Sequence, residues 1–256
     1  MSEVLPYQAT NPTQRLELEH GWEFLPDRSA KLKLQDAQSA TDWRPARVGL
    51  SWNVQFEDLR DYMGAAWYRT EIDLPSFSEL RHVLLKFGAV DYFCEVFIND
   101  IHVGSHEGGY TPFSFDISRV IRPGRNTFYI HVIDPPMNEA ENRELFPEMM
   151  YNEIPHGKQN WYVQNSGIWQ GVRLEFCPSI YIDRVDVTSE VSGRFRAAVR
   201  LAGIGLIAGD DIASRTQVQA TVYDSSGRRM FQHSEEIGNK NSGRARSGDI
   251  QTVPGF

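Results

Sequence analysis

The chain has 256 residues, with a formal net charge of −8, 41 % hydrophobic and 12 % aromatic residues. That aromatic content excludes a disordered chain, and the acidic balance argues against a groove that must neutralise nucleic-acid phosphates. Only Cys94 and Cys177 are present, which excludes a disulfide framework and a CxxC zinc site.

The start, Met1 to Thr13, lacks the apolar stretch of a signal peptide, and no apolar run approaches the roughly 20 residues of a spanning helix. From there period-2 patterns dominate. In Trp67 to Leu74 the residues Tyr68, Thr70, Ile72 and Leu74 share one face, opposite Arg69, Glu71 and Asp73; Pro75 ends the strand. Val83 to Phe87 is a short apolar run suited to a strand buried on both faces. Next, Cys94–Ile98 and Ile101–Val103 flank Asn99-Asp100, two residues that tolerate the left-handed backbone of a tight hairpin. A two-residue loop pairs Ile98 with Ile101 and Val96 with Val103 on one face, leaving Phe97 and His102 on the other. Further strands are expected at Phe113–Asp116, Asn126–Ile133 and Val172–Phe176, with a turn at Pro123-Gly124.

The stretch from Asp134 to Asn160 breaks this rhythm with Pro135, Pro136, Pro147, Pro155 and a series of glutamates. A connection this long inside a domain reads as a functional loop. After Cys177-Pro178-Ser179 a second strand series begins: Tyr181–Thr188, Phe195–Leu201, Gln217–Asp224 and Met230–Glu236, the last two joined by a turn at Ser225-Ser226-Gly227. Asn239–Gly248 reads as a mobile loop. Many short strands with Gly/Pro turns indicate an all-β chain: an antiparallel sandwich over residues 1–178, then an immunoglobulin-like sandwich over 179–256 that is short of strands.

Saccharide binding is the chemistry this pattern best supports, because sugar C–H faces stack on aromatic rings and hydroxyls pair with planar amides. The segment Gly157 to Gln170 interleaves Trp161, Tyr162 and Trp169 with Gln159, Asn160, Gln164 and Asn165. Trp169 also reads as a core tryptophan at the start of the strand Val172–Phe176. His102 and His106 lack partners for a metal and read as solvated. The glutamates 139, 141, 144, 148 and 153 read as a solvated face, and Glu107-Gly108-Gly109-Tyr110 lacks the strand–loop–helix context of a phosphate loop. No Gly-x-Ser-x-Gly elbow is present. No catalytic residue, metal ligand or cofactor site is assigned.

Several motifs follow one another in a recognisable order: Leu18-Glu-His-Gly-Trp-Glu-Phe24, Trp67-Tyr-Arg69, Asn99-Asp-Ile-His-Val-Gly104, His106-Glu-Gly-Gly-Tyr-Thr-Pro-Phe113, Gly124-Arg-Asn126 and Ser166-Gly-Ile-Trp-Gln170. Together they resemble the N-terminal part of glycoside hydrolase family 2, which includes β-galactosidases, β-glucuronidases and β-mannosidases. The resemblance implies a jelly-roll, galactose-binding-like domain over 1–178 and a truncated immunoglobulin-like domain over 179–256. A catalytic (β/α)₈ barrel would follow, and it needs about 250 residues of its own, so it is absent here. Family members retain configuration with two glutamates; neither can be placed in this chain.

The resemblance further implies a non-catalytic portion of a retaining, β-galactosidase-like enzyme, inactive alone, that scaffolds its own barrel and lines one side of the pocket for a β-linked saccharide. In several members a carboxylate before the Gly-Ile motif reaches the substrate. Here Gln159, Asn160, Trp161 and Tyr162 occupy that stretch, with Asn160 the nearest polar match and Trp161 at the spacing of that carboxylate. An autonomous lectin-like module without hydrolase activity is the alternative. The expected setting is cytoplasmic, with no nucleic-acid or membrane partner and with a homo-oligomer left open.

Overall fold

Residues 13–76, 82–155, 165–178, 180–203, 217–236 and 247–250 are described by a computed structural model. The chain divides into two compact units. One comprises Gln14–Glu79 with Val83–Phe176, the other Met1–Thr13, Leu80–His82 and Cys177–Phe256.

The first unit contains strands β1 (Gln14–Glu17), β2 (Trp22–Asp27), β3 (Arg44–Ala46), β4 (Gly64–Leu74) and β5 (His82–Phe87). They are followed by β6 (Phe93–Ile98), β7 (Ile101–Glu107), β8 (Phe113–Asp116), β9 (Gly124–Asp134) and β10 (Val172–Cys177). A six-stranded sheet runs β3-β2-β4-β9-β6-β7, antiparallel throughout, and faces a four-stranded sheet, β1-β10-β5-β8. The alternation expected along β4 is observed: Tyr68, Thr70 and Leu74 are buried, whereas Glu71 and Asp73 are exposed. Its inward side chains join Trp22 and Phe24 of β2 and Phe128, Ile130 and Val132 of β9. Val83, Leu85 and Phe87 of β5 and Val172 and Leu174 of β10 close the layer from the other sheet. This all-β sandwich is the fold class that the sequence suggested.

The Asn99-Asp100 turn is present, with φ of 49° and 67°, the left-handed values that a two-residue hairpin demands. The expected register holds only at its tip. Ile98 pairs with Ile101 and Phe97 with His102, but Val96 then faces Gly104 instead of Val103. Val103 is the extra residue of a bulge, which resets the pairing from that point. Gly104 suits the shifted position because a side chain there would start 2.8 Å from the Phe115 ring.

Three short helices escape the sequence pattern: α1 (Leu34–Ser39), α2 (Trp52–Gln55) and α3 (Glu139–Leu145). None is long enough to show a helical stripe, so periodicity could not find them. Helix α1 contributes Ala37, which with Leu25, Trp43 and Trp67 buries part of the other face of the six-stranded sheet. Helix α2 starts on Ser51, whose hydroxyl accepts the Asn53 N–H, and delivers Trp52 into the main core against Phe24.

In the second unit, β11 (Tyr181–Ser189) pairs with β12 (Phe195–Ala202), and β13 (Gln217–Tyr223) with β14 (Arg229–Glu236) through the expected turn after Asp224. A strand β15 (Ser247–Ile250) pairs with β12, so Ser247 and Gly248 are strand residues rather than loop. Their polar, glycine-containing sequence carries no alternation to announce it. Val199 and Leu201 pack with Val218, Ala220 and Phe231 to form the small core of this unit.

The buried tryptophans are the natural probes of the sandwich. Trp52 is fully enclosed, with its indole N–H donated to the Tyr62 carbonyl at 3.0 Å. Trp52→Ala is expected to cost about 3–5 kcal/mol of stability, read as a lowered urea midpoint with an unchanged slope.

Candidate functional site

Gln159, Asn160, Trp161 and Tyr162, the residues singled out in the sequence for sugar binding, lie outside the described residues, as does Gln164. Trp169 is described, and it is half-buried, not a core residue. It sits before β10 in a connection, where its indole N–H donates to the Gly109 carbonyl at 2.8 Å. The Tyr110 ring stands edge-on to it at 5.5 Å and is 54 % exposed. His102 is half exposed, 3.6 Å from Glu95, as a solvated histidine would be. His106 is not solvated: it is half-buried and stacked at 3.7 Å on Phe113, and burial lowers its pKa. The glutamates 139, 141, 144, 148 and 153 are all exposed.

Beneath the Tyr110–Trp169 pair the structure places two carboxylates that sequence reasoning did not select. The inward face of β9 runs Asn126, Phe128, Ile130, Val132 and ends on Asp134, which is 2 % exposed. Asp91, in the connection between β5 and β6, is 3 % exposed. Its backbone makes a reciprocal bridge with Gly167: each N–H donates to the other's carbonyl at 3.0 Å. Gly109 closes over it so tightly that an added Cβ would fall 2.2 Å from Asp91 Oδ1. Period-2 extension of the strand by one residue would have pointed Asp134 inward; for Asp91, between apolar Val90 and Tyr92, no such signal exists.

What separates these carboxylates from other buried acids is their lack of donors. Asp27 is equally buried, but it accepts from the Ser29 N–H and hydroxyl and from the Leu32 N–H. Glu175 is held by Lys86 and Arg173 at 2.8 Å and Arg15 at 3.2 Å. Asp134, in contrast, accepts a hydrogen bond from Ser166 Oγ, and Asp91 Oδ2 has no partner. Among the described residues, no Lys, Arg or His is paired with either carboxylate. Burial alone pushes the Asp91 pKa up to about 6. Asp134 is raised well above the carboxylate range, first by burial and then by the charge of Asp91, with the Ser166 hydrogen bond opposing. The Tyr110 hydroxyl is raised too, by burial and by both carboxylates.

An unpartnered buried acceptor costs free energy unless something donates to it. Such an acceptor on Asp91, with Asp134 held by a single hydroxyl beside it, suits a ligand that offers hydroxyl donors together with apolar C–H faces for the aromatic pair. The sign of the pH dependence follows. The Asp91 pKa is higher folded than unfolded, so its contribution to stability is full below about pH 4 and is lost as pH rises through about 6. Asp91→Asn is therefore expected to gain about 2–3 kcal/mol over the parent at pH 8 and nothing near pH 4, measured by urea denaturation across that range. Equal stability of the two proteins at pH 8 would contradict it.

Residues 51–170 match the Glycosyl hydrolase 2 galactose-binding domain-like family. Among curated relatives, the Rattus norvegicus β-glucuronidase is 29 % identical over 210 residues, covering 70 % of this chain and 31 % of that protein. The Paenibacillus borealis β-glucuronidase is 27 % identical over 186 residues, covering 67 % and 30 %. This chain thus spans about a third of the length of the curated relatives it matches. Among solved structures, Bifidobacterium dentium β-glucuronidase complexed with coumarin-3-O-glucuronide shares the fold with a TM-score of 0.72 at 20 % identity. That likeness covers 98 % of this chain and 43 % of the other. A putative β-galactosidase from Bacteroides fragilis gives a TM-score of 0.65 at 19 % identity, covering 94 % and 34 %.

Proposed function

We propose, from the match of residues 51–170 to the Glycosyl hydrolase 2 galactose-binding domain-like family, that this chain is the non-catalytic sandwich portion of a retaining β-glycosidase. It scaffolds a separate catalytic barrel and lines one side of the sugar pocket. The observation that carries this reading is the pair of buried carboxylates, Asp91 and Asp134, left without sufficient donors beneath Tyr110 and Trp169. A carboxylate oxygen left without a donor, as Asp91 Oδ2 is, finds its natural complement in a sugar hydroxyl, while the aromatic rings meet the C–H face. Hydrolysis with retention needs a nucleophile and an acid/base about 5–5.5 Å apart, and those two groups belong to the barrel. Among the described residues no helix is long and apolar enough to cross a membrane. Cys94 and Cys177 are both buried thiols, which suits a reducing compartment such as the cytoplasm.

This chain alone is expected to hydrolyse nitrophenyl β-glycosides at buffer rates. The encoding frame, read beyond codon 256, is expected to supply a barrel. In the resulting enzyme, Trp169→Ala should lower kcat/KM at least tenfold, while the exposed Glu144→Ala leaves it unchanged. Turnover by the chain itself, abolished by a substitution within it, would overturn the non-catalytic reading. A frame that stops here, with polysaccharide binding by the lone chain, would favour a lectin-like module.

A further inference from the structure

The face of the six-stranded sheet turned away from the main core is only partly covered. Ala37 of α1 and Trp43, just before β3, bury Leu25 and Trp67 on it. Beside that cover the sheet carries a row set directly across three strands. Glu23 of β2 pairs with Arg69 of β4, and Arg69 with Tyr129 of β9. The next outward row adds Glu71 and Thr127. These five residues line an open groove of about 440 Å³, within the roughly 300–1,000 Å³ of ordinary small-molecule sites. All of them belong to the first unit. Tyr129 stands five residues before Asp134 on β9, hence about 17 Å from it along the strand and on the opposite face of the sheet.

The groove is held in shape by a core residue. The Arg69 guanidinium lies over the Trp43 ring at 4.3 Å, and the Tyr129 ring stands edge-on to the same indole at 6.2 Å. Trp43 is buried, so both groups rest on a fixed support. Arg69 Nε donates to Glu23 Oε2 at 2.7 Å, yet the two side chains keep 28 % and 43 % of their surface open. Much of their bonding capacity is unspent. A guanidinium has five N–H donors and a carboxylate about four acceptor positions, and this bond uses one of each. Glu71 lies 3.6 Å from Arg125, too far for a good hydrogen bond. Two carboxylates are thus balanced by two guanidiniums, and the surface favours neither an anion nor a cation. A ligand that uses such donors and acceptors together with an aromatic ring is neutral and rich in hydroxyls. We propose that this groove binds an uncharged glycan, whose hydroxyls bridge Glu23 and Arg69 while a C–H face lies on Tyr129. The proposal stands on these residues alone and does not rest on the reading of the Asp91–Asp134 end.

The test titrates the 256-residue chain with lactose, cellobiose and methyl β-D-glucuronide and follows it by heteronuclear NMR. Either neutral disaccharide is expected to give saturable shifts at the Arg69 Nε–H, the Trp43 indole and the Tyr129 ring. The affinity should be the same at low and high salt, because the charges of the groove cancel. Glu23→Gln alters a half-exposed ion pair, so it should leave the urea midpoint almost unmoved and weaken disaccharide binding at least fivefold. Tyr129→Ala should weaken it at least tenfold. Shifts confined to Tyr110 and Trp169 would overturn the groove while leaving the reading of that other end intact. The groove fails equally if neither disaccharide gives a saturable shift, or if its resonances move only with protein concentration, as in a contact between two copies. Tighter binding of the glucuronide than of both disaccharides would overturn the neutral class of ligand. Unchanged affinity in Glu23→Gln would remove the ion pair from the site. The titration of the unsubstituted chain decides the main point even if Tyr129→Ala does not fold.

Discussion

Everything at the functional end of the sandwich depends on how Gly167 is held. Its N–H and carbonyl both pair with Asp91, and its flanking residues extend the seam. Gly49 N–H reaches the Ile168 carbonyl at 3.0 Å, Trp52 N–H the Ser166 carbonyl at 3.2 Å, and Gly88 N–H the Gly171 carbonyl at 2.9 Å. The segment between Ser166 and Gly171 is thereby stitched to two separate loops without belonging to either sheet. Only glycine fits at its centre. The backbone there has φ of 92°, and an added Cβ would lie 2.4 Å from the Tyr68 hydroxyl and 2.7 Å from the Trp52 ring. Two of the largest core side chains thus press directly on the strand of backbone that positions Ser166, Trp169 and, through the bridge, Asp91.

This explains why the site is rigid on one side and chemically incomplete on the other. The main chain around Asp91 is fixed by its paired hydrogen bonds with Gly167. Gly109 adds the second restraint, because its carbonyl anchors Trp169 while its missing side chain leaves room for Asp91 Oδ1. A carboxylate held this firmly in an apolar setting keeps its desolvation penalty, and the raised pKa of Asp91 is the measure of that penalty. Pre-organisation of this kind is what lets a weakly binding ligand gain from a few polar contacts, since the protein has no ordering left to do.

The strands were legible in the sequence because their signal is local. Tyr68 to Leu74 alternates cleanly, and the Asn99-Asp100 pair sits where two apolar runs reverse. The bulge at Val103 was not legible, because the pairing slips in response to Phe115 packing against Gly104, a contact that sequence distance hides. The helices were too short for their period to show. At the site, the aromatic Trp169 stood out, but its companions did not: Asp91 is a lone acid in an apolar run, and what makes it unusual is the absence of a partner. Absence of a partner is a property of three-dimensional neighbours, and only the fold reveals it. Trp169 itself was misplaced towards the core because a tryptophan near a strand is usually buried; here it is diverted by its bond to Gly109, before the strand begins.

The two ends of β9 make the strongest internal comparison. Both terminate the same inward row of side chains with a buried polar residue, Asn126 at one end and Asp134 at the other. Asn126 uses its whole amide: Oδ1 accepts from the Arg122 N–H and from Asn99 Nδ2, and Nδ2 donates to the carbonyls of Arg122 and Gly124. That end is a closed joint, tying the hairpin turn to the strand. Replacing Asp134 by a residue of the same design was sterically open to this strand, since a single amide would have spared the charge. Instead that end keeps an acid, pairs it with one hydroxyl, and sets a second unpartnered acid near it. A fold that satisfies Asn126 and Asp27 so fully does not lack the means to satisfy Asp134. The deficit at one end only, and at the end that carries the exposed aromatic ring, is the pattern of a surface completed by a ligand rather than by the chain itself.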